Sequence, residues 1–257
     1  MHYSNYFLAG LTALAAEATA ECSREMLQAA TASLIAAQTA GSSSGITALS
    51  DTVTYTQNAK AATISTGILS QALKIDHNRS SYDTTQCATY TELIVTDTAK
   101  PYVIGTQMHF TDSKITKVET LVTTTGDWLF NAKNTLKWAI TESWAEIPSD
   151  KRDSRAVIQA AADAYCDIFN NKSVVVPWGK PCARLEGGSY TGNGSASDRC
   201  DVGIPSGVAL TNRRYVIDET VGAVDVFLTF GGNLPDSHEF RVEGGKLRYV
   251  HTLTVMT

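Results

Sequence analysis

Six stretches of the chain alternate apolar with polar or β-branched residues and predict strands. Three lie at Ala88–Thr96, Tyr102–Phe110 and Ile115–Thr123, and three at Val221–Phe230, Ser237–Val242 and Leu247–Val255. The segments within each group, among them TDTAKP, TDS, GGNLPD and EGG, are too short for a parallel crossover, so neighbouring strands pair antiparallel. Ahead of each group an apolar stripe at helical spacing predicts a helix. Met26, Leu27, Ala30, Leu34 and Ile35 form the first stripe, and Val157, Ile158, Ala161, Tyr165 and Ile168 the second. Ser23 is placed to cap the first helix, and Asp153 or Ser154 the second.

The two groups are copies of one unit. SREMLQAATASLIA from Ser23 answers SRAVIQAAADAYCD from Ser154, 131 residues on. HNRSSYD from His77 answers TNRRYVID from Thr211, and SKITKVETLVT from Ser113 answers GKLRYVHTLTV from Gly245, at offsets of 134 and 132. A nearly constant offset at three anchors marks an internal duplication.

A helix followed by a curved antiparallel meander is an α+β layout in which the helix covers the concave face of the sheet. The expected architecture is therefore a tandem pair of NTF2-like, cone-shaped units. They span residues 22–125 and 153–257, with a tryptophan-rich connector at 126–152. Within the connector Asn131–Trp144 reads as helical, and Trp128, Trp138 and Trp144 read as packing that joins the halves. One sheet face of each unit is left open in this layout, which allows a homodimer.

Apolar content of 43% suits a globular fold, and a net charge of -5 without any basic cluster argues against nucleic acid. No stretch reaches the ~20 apolar residues that span a bilayer, so stable membrane insertion is not expected. Residues 1–20 read as a secretory signal peptide, with an apolar run from Phe7 to Ala16 and small residues at Ala18 and Ala20. The alternative is an alanine-rich helix kept in the mature protein. Asn78, Asn171 and Asn193 each open an N-x-S/T glycan acceptor site, which points to the secretory pathway or an extracellular location.

The five cysteines show no metal-ligand spacing, so disulfides are the better reading and no metal site is expected. Cys182 and Cys200 flank a Gly/Ser-rich loop and form one pair; Cys22 and Cys87 are candidates for a second. Cys166, within the second helix, is expected to be a buried free thiol.

Candidate chemistry centres on the last strand, where His251 shares a face with Tyr249, Leu253 and Val255. Either it is a core histidine with its hydrogen bonds satisfied, or a proton donor or acceptor in a ligand cavity. The duplication makes Glu119 its counterpart, so a polar residue recurs at one inward position. Arg79 and Arg213 are likewise matched; both are candidates to clamp an acidic oxygen, or to pin a turn through Asp83 and Asp218. Trp128, Trp178, Tyr90 and Tyr215 are candidates for an apolar ligand wall, with core packing as the alternative, and His77 is a further binding candidate. His109 and Arg241 are expected to face solvent.

Taken together, CSREMLQAA, KIDHNRSSYDTTQCATYTELIV, GDWLFNA, KRDSRAVIQAAADAYCD, VPWGKPCARLEGG, TNRRYVIDETVGAVDVF and PDSHEFRVEGGKLRYVHTLTV carry a family resemblance from about Cys22 to Val255. The chain resembles a group of secreted-type fungal proteins and is similar to the hetero-Diels–Alderases of tropolone sesquiterpenoid biosynthesis. The resemblance implies cofactor-free cycloaddition of a tropolone o-quinone methide with a sesquiterpene polyene such as humulene. Orientation of the partners and hydrogen bonds to the quinone-methide oxygens would lower the barrier. Members of the group often end in a cysteine after the last strand, where this chain has Met256. The resemblance transfers no residue role; His251, Glu119 and Arg213 are the catalytic candidates on sequence grounds alone. The alternative function is a secreted, non-catalytic protein that binds a hydrophobic small molecule or a host partner.

Overall fold

The computed structural model describes residues 22–256, so the expected signal peptide lies outside the described residues. The first repeat opens with α1 (Arg24–Ala40) and continues through β1 (Leu49–Gln57), β2 (Lys60–Ala61), β3 (His77–Asp83), β4 (Ala88–Val95), β5 (Tyr102–Thr111) and β6 (Lys114–Thr123). A short helix, α2 (Ala132–Ala139), lies in the connector. The second repeat runs α3 (Arg155–Ile168), β7 (Trp178–Glu186), β8 (Ser189–Tyr190), β9 (Leu210–Asp218), β10 (Ala223–Phe230), β11 (Leu234–Glu243) and β12 (Lys246–Thr254). Each repeat builds one six-stranded sheet with the same order, β2-β1-β6-β5-β4-β3 and β8-β7-β12-β11-β10-β9. The meander is antiparallel, but β1 joins β6 and β7 joins β12 in parallel across the long connections.

Local signals place the helices. The Ser23 hydroxyl accepts from the Met26 N–H at 3.2 Å, and Gly41 ends α1 in the left-handed region at φ 68°. Ser154 occupies the cap position of α3 without a side-chain bond. The Arg155 N–H there donates instead to a Glu219 carboxylate at 2.9 Å, so the cap comes from the turn after β9. The connector helix is shorter than expected; Asn131 caps its start, and the chain leaves helix before Trp144.

Both faces of each sheet are buried. The concave face of the first packs under α1 around Leu27, Leu34, Leu93, Met108 and Val118. The concave face of the second packs under α3 around Tyr165, Val226, Phe240 and Val250. The other two faces meet each other through Tyr90, Leu121, Val216, Phe227 and Val255. The sheet face expected to be open is thus covered by the sister repeat, and the reason given for a homodimer does not hold. Arg241 is buried, bonded to Glu243 and the Val221 carbonyl, and His109 is half-buried beside Glu119, against the expectation that both face solvent.

The junction is held by a reciprocal exchange. Arg155 of α3 donates both terminal nitrogens to Asp83 of the first repeat at 2.8 and 2.7 Å. Arg24 of α1 donates to Asp218 of the second at 2.8 Å. Each aspartate also accepts a backbone N–H across the junction, Ile217 to Asp83 and Tyr82 to Asp218, both at 2.9 Å. The Ser-Arg that opens each helix in the duplicated sequence is therefore the cross-repeat clasp.

Disulfides join Cys22 to Cys87 and Cys182 to Cys200, while Cys166 is free and buried, its thiol pushed up by burial. Two disulfides fit an oxidising compartment. Asn78, Asn171 and Asn193 are all exposed. Among the described residues no helix is long and apolar enough to cross a membrane.

Candidate functional site

Of the catalytic candidates, His251 and Glu119 lie at the junction and Arg213 lies on the α3 side of the second sheet, each engaged in ion pairs. His251 of β12 is buried, with Nδ1 3.0 Å from Glu92 of β4 and Nε2 2.7 Å from Glu142 of the connector. Arg79 of β3 donates to Glu239 of β11 at 2.7 Å and to Glu92 at 3.3 Å. Trp144 closes the cluster: its ring lies 3.5 Å from the Arg79 guanidinium carbon, its edge meets His251, and its indole N–H donates to Glu142. Burial opposes protonation of His251, but Glu92 and Glu142 outweigh it and hold the imidazole up at about 10. Glu92 is lowered: burial would raise it, yet His251 and Arg79 together prevail. Glu92, Glu239 and His251 bring three potential metal-ligand atoms within 4.8 Å of one another. The Arg79 guanidinium is bonded to both of these carboxylates, supplying the cation that such a set attracts.

Glu119 and His251 are counterparts, since Gln107 faces Glu119 across β5 and β6 as Glu239 faces His251 across β11 and β12. Glu119 is paired with Arg214 at 3.0 Å and Lys117 at 2.7 Å. The counterpart of Arg79 is Arg214 rather than Arg213, because Arg79 lies opposite Glu92 in the ladder where Arg214 lies opposite Phe227. Neither turn-pinning pair expected from sequence forms. Arg79 bonds Glu92 and Glu239, and Arg213 reaches Asp163 and Asp167 of α3 at 3.2 and 2.6 Å.

The binding candidates scatter. Tyr249 lies beneath Trp144, and Tyr90 packs edge-on against Phe227. Tyr215 donates its hydroxyl to Asp163, and Trp178 packs edge-on against Tyr165. His77 is half-buried on β3 opposite Ile94. Of these residues only Trp128 borders the most apolar cavity.

That cavity, of about 340 Å³, opens on the concave side of the second sheet. Tyr165, Phe169, Val208, Phe230 and Leu234 supply apolar walls, and His238, Thr252 and Thr254 a polar floor. Asp236 organises the floor: it lies 2.5 Å from His238 Nδ1 and accepts from the Thr254 hydroxyl at 2.5 Å. Among the described residues nothing hydrogen-bonds to His238 Nε2. Arg184 and Glu186, ion-paired at 2.8 Å, complete the polar side. Sequence reasoning missed His238, although it shares its strand parity with Phe240 and Val242 on the face read as inward. Thr252 and Thr254, on the opposite face from His251, point to the helix side of the sheet and not to solvent.

The equivalent space in the first repeat is filled. Ile68, Leu69 and Leu73, between β2 and β3, are buried in its core. Gln38 donates to the Ile68 and Gln71 carbonyls, and Gln57 accepts from the Ile68 N–H at 2.8 Å. By the helix offset Gln38 corresponds to Phe169, and by strand pairing Gln57 corresponds to Glu186, both of which line the cavity. In the second repeat the corresponding segment is tied down at Cys200, and its Gly203, Pro205 and Val208 border the opening.

Fold and site thus define a duplicated helix-on-sheet protein with one solid and one hollow repeat. A family described as a domain of unknown function, DUF8021, matches residues 151–254, which is the hollow repeat. No curated protein matches the chain.

Proposed function

We propose that the protein is a cofactor-free hetero-Diels–Alderase of fungal secondary metabolism that works through the cavity of the second repeat, each repeat being an NTF2-like cone and the protein entering the secretory pathway. The observation that carries this reading is an apolar cavity whose floor holds an aspartate-oriented histidine with one nitrogen left for a ligand. The resemblance supplies the reaction.

A proton on Nδ1 of His238, donated to Asp236, leaves Nε2 as the acceptor nitrogen of the ring. That nitrogen takes the ring hydroxyl proton of a hydroxymethyl tropolone; the exocyclic C–O bond breaks, and the departing hydroxide recovers the proton to leave as water. The o-quinone methide then adds across one double bond of the polyene, forming one C–C and one C–O bond and closing a dihydropyran. The apolar walls hold both partners and exclude water.

Purified protein, a hydroxymethyl tropolone and humulene should give one stereoisomer of the adduct faster than a protein-free control. His238→Asn, which keeps a donor for Asp236 but no base, should lose about a hundredfold or more of that rate. A rate and isomer ratio equal to the protein-free control would leave the non-catalytic binder as the better reading.

A further inference from the structure

The duplication isolates a second recognition group beside His238. Thr252 of β12 lies directly opposite His238 of β11 in the strand ladder, as Thr120 of β6 lies opposite Thr106 of β5. In the solid repeat the two threonine hydroxyls bond each other at 3.3 Å. In the hollow repeat a histidine stands where Thr106 does, and its Nδ1 is turned to Asp236, so among the described residues the Thr252 hydroxyl is left with no partner. Thr252 is only 6% exposed, lines the cavity, and shares its strand face with Thr254, whose own hydroxyl is taken by Asp236.

A buried hydroxyl without a partner is costly and rare in a folded interior. The geometry assigns Thr252 as the residue that positions the ligand by donating its hydroxyl to a ligand oxygen beside His238, an assignment that rests on the cavity reading above. Directly opposed side chains on one sheet face have Cβ atoms about 5 Å apart. One oxygenated end of a ligand can therefore engage both groups, giving a hydroxyl to Nε2 and offering an adjacent carbonyl-type oxygen to Thr252. The rest of the ligand lies against the apolar wall.

The test uses tropolone itself as probe, followed by fluorescence of Trp128 at the cavity edge, together with turnover of the hydroxymethyl tropolone. Thr252→Val should weaken tropolone binding and raise KM about five- to tenfold, the worth of one neutral hydrogen bond, with kcat changed less than about twofold. Thr252→Ser should restore both, and Thr120→Val in the solid repeat should alter neither. If wild-type protein binds tropolone and Thr252→Val binds it equally well with the same KM, the assignment falls and the cavity reading stands. If wild-type protein binds no tropolone, both fall together.

Discussion

His251 and His238 sit on neighbouring strands of one sheet, both buried and both beside a carboxylate, yet they face opposite sides and differ in whether a ring nitrogen is left free. His251 faces the sister repeat, where both ring nitrogens are spoken for and Trp144 seals the cluster. His238 faces the helix side, where Asp236 holds one nitrogen and a cavity lies beside the ring. Burial and a charged partner are therefore not what separates a histidine closed off by its own protein from one open to a cavity. The distinction is whether the protein's own groups use up its hydrogen-bonding capacity. The same contrast recurs one level up, between a repeat whose cone is filled by Ile68, Leu69 and Leu73 and one whose cone is left open.

Breaking the closed cluster should give the largest effect. His251→Phe leaves Glu92 and Glu142 buried without their shared partner, and loss of one member of a buried charged network costs about 3–5 kcal/mol. Chemical denaturation should register that loss, with any fall in activity tracking the folded fraction.

A smaller effect sharpens the same point through pH. The folded state holds His251 at about 10, above its ordinary 6.5, so its contribution is full below pH 6.5 and fades as pH rises through 10. Stability should fall by a few kcal/mol between those limits in the wild type, and the slope should flatten in His251→Phe. His77 and His109, both lowered chiefly by burial, titrate below this window and do not mask it. A wild-type stability that is level from pH 7 to 9.5 would contradict the assignment of His251 as a charged member of the cluster.

Much of the fold was legible in sequence because it rests on local patterns. The alternation of six strands, the two amphipathic helices and the duplication fall within a residue or three of the structure, and the Cys182–Cys200 pair is formed. What escaped was set by partners distant in sequence. β1 did not read as a strand although its Ser and Thr at 50, 52, 54 and 56 alternate with Leu49, Val53 and Tyr55, and β7, which contains Pro181, did not read as one either. The polar side of β11, with Arg241, read as solvent-facing because one-sided burial is the usual reason for alternation. In this protein Glu239 and His251 meet polar partners from the other repeat, and Arg241 pairs within its own, with Glu243 and the Val221 carbonyl. Arg24 and Arg155 were visible as a repeated pair, but no spacing rule connects them to Asp218 and Asp83, more than seventy residues away.

The division between the two histidines can be measured in one experiment. Long-range ¹H–¹⁵N correlations of the imidazole nitrogens, recorded while tropolone is added, report each ring separately. A site at His238 predicts that its Nε2 resonance moves with ligand concentration while both nitrogens of His251 stay in place. Movement of His251 with His238 unchanged would contradict it and place the site at the junction of the repeats.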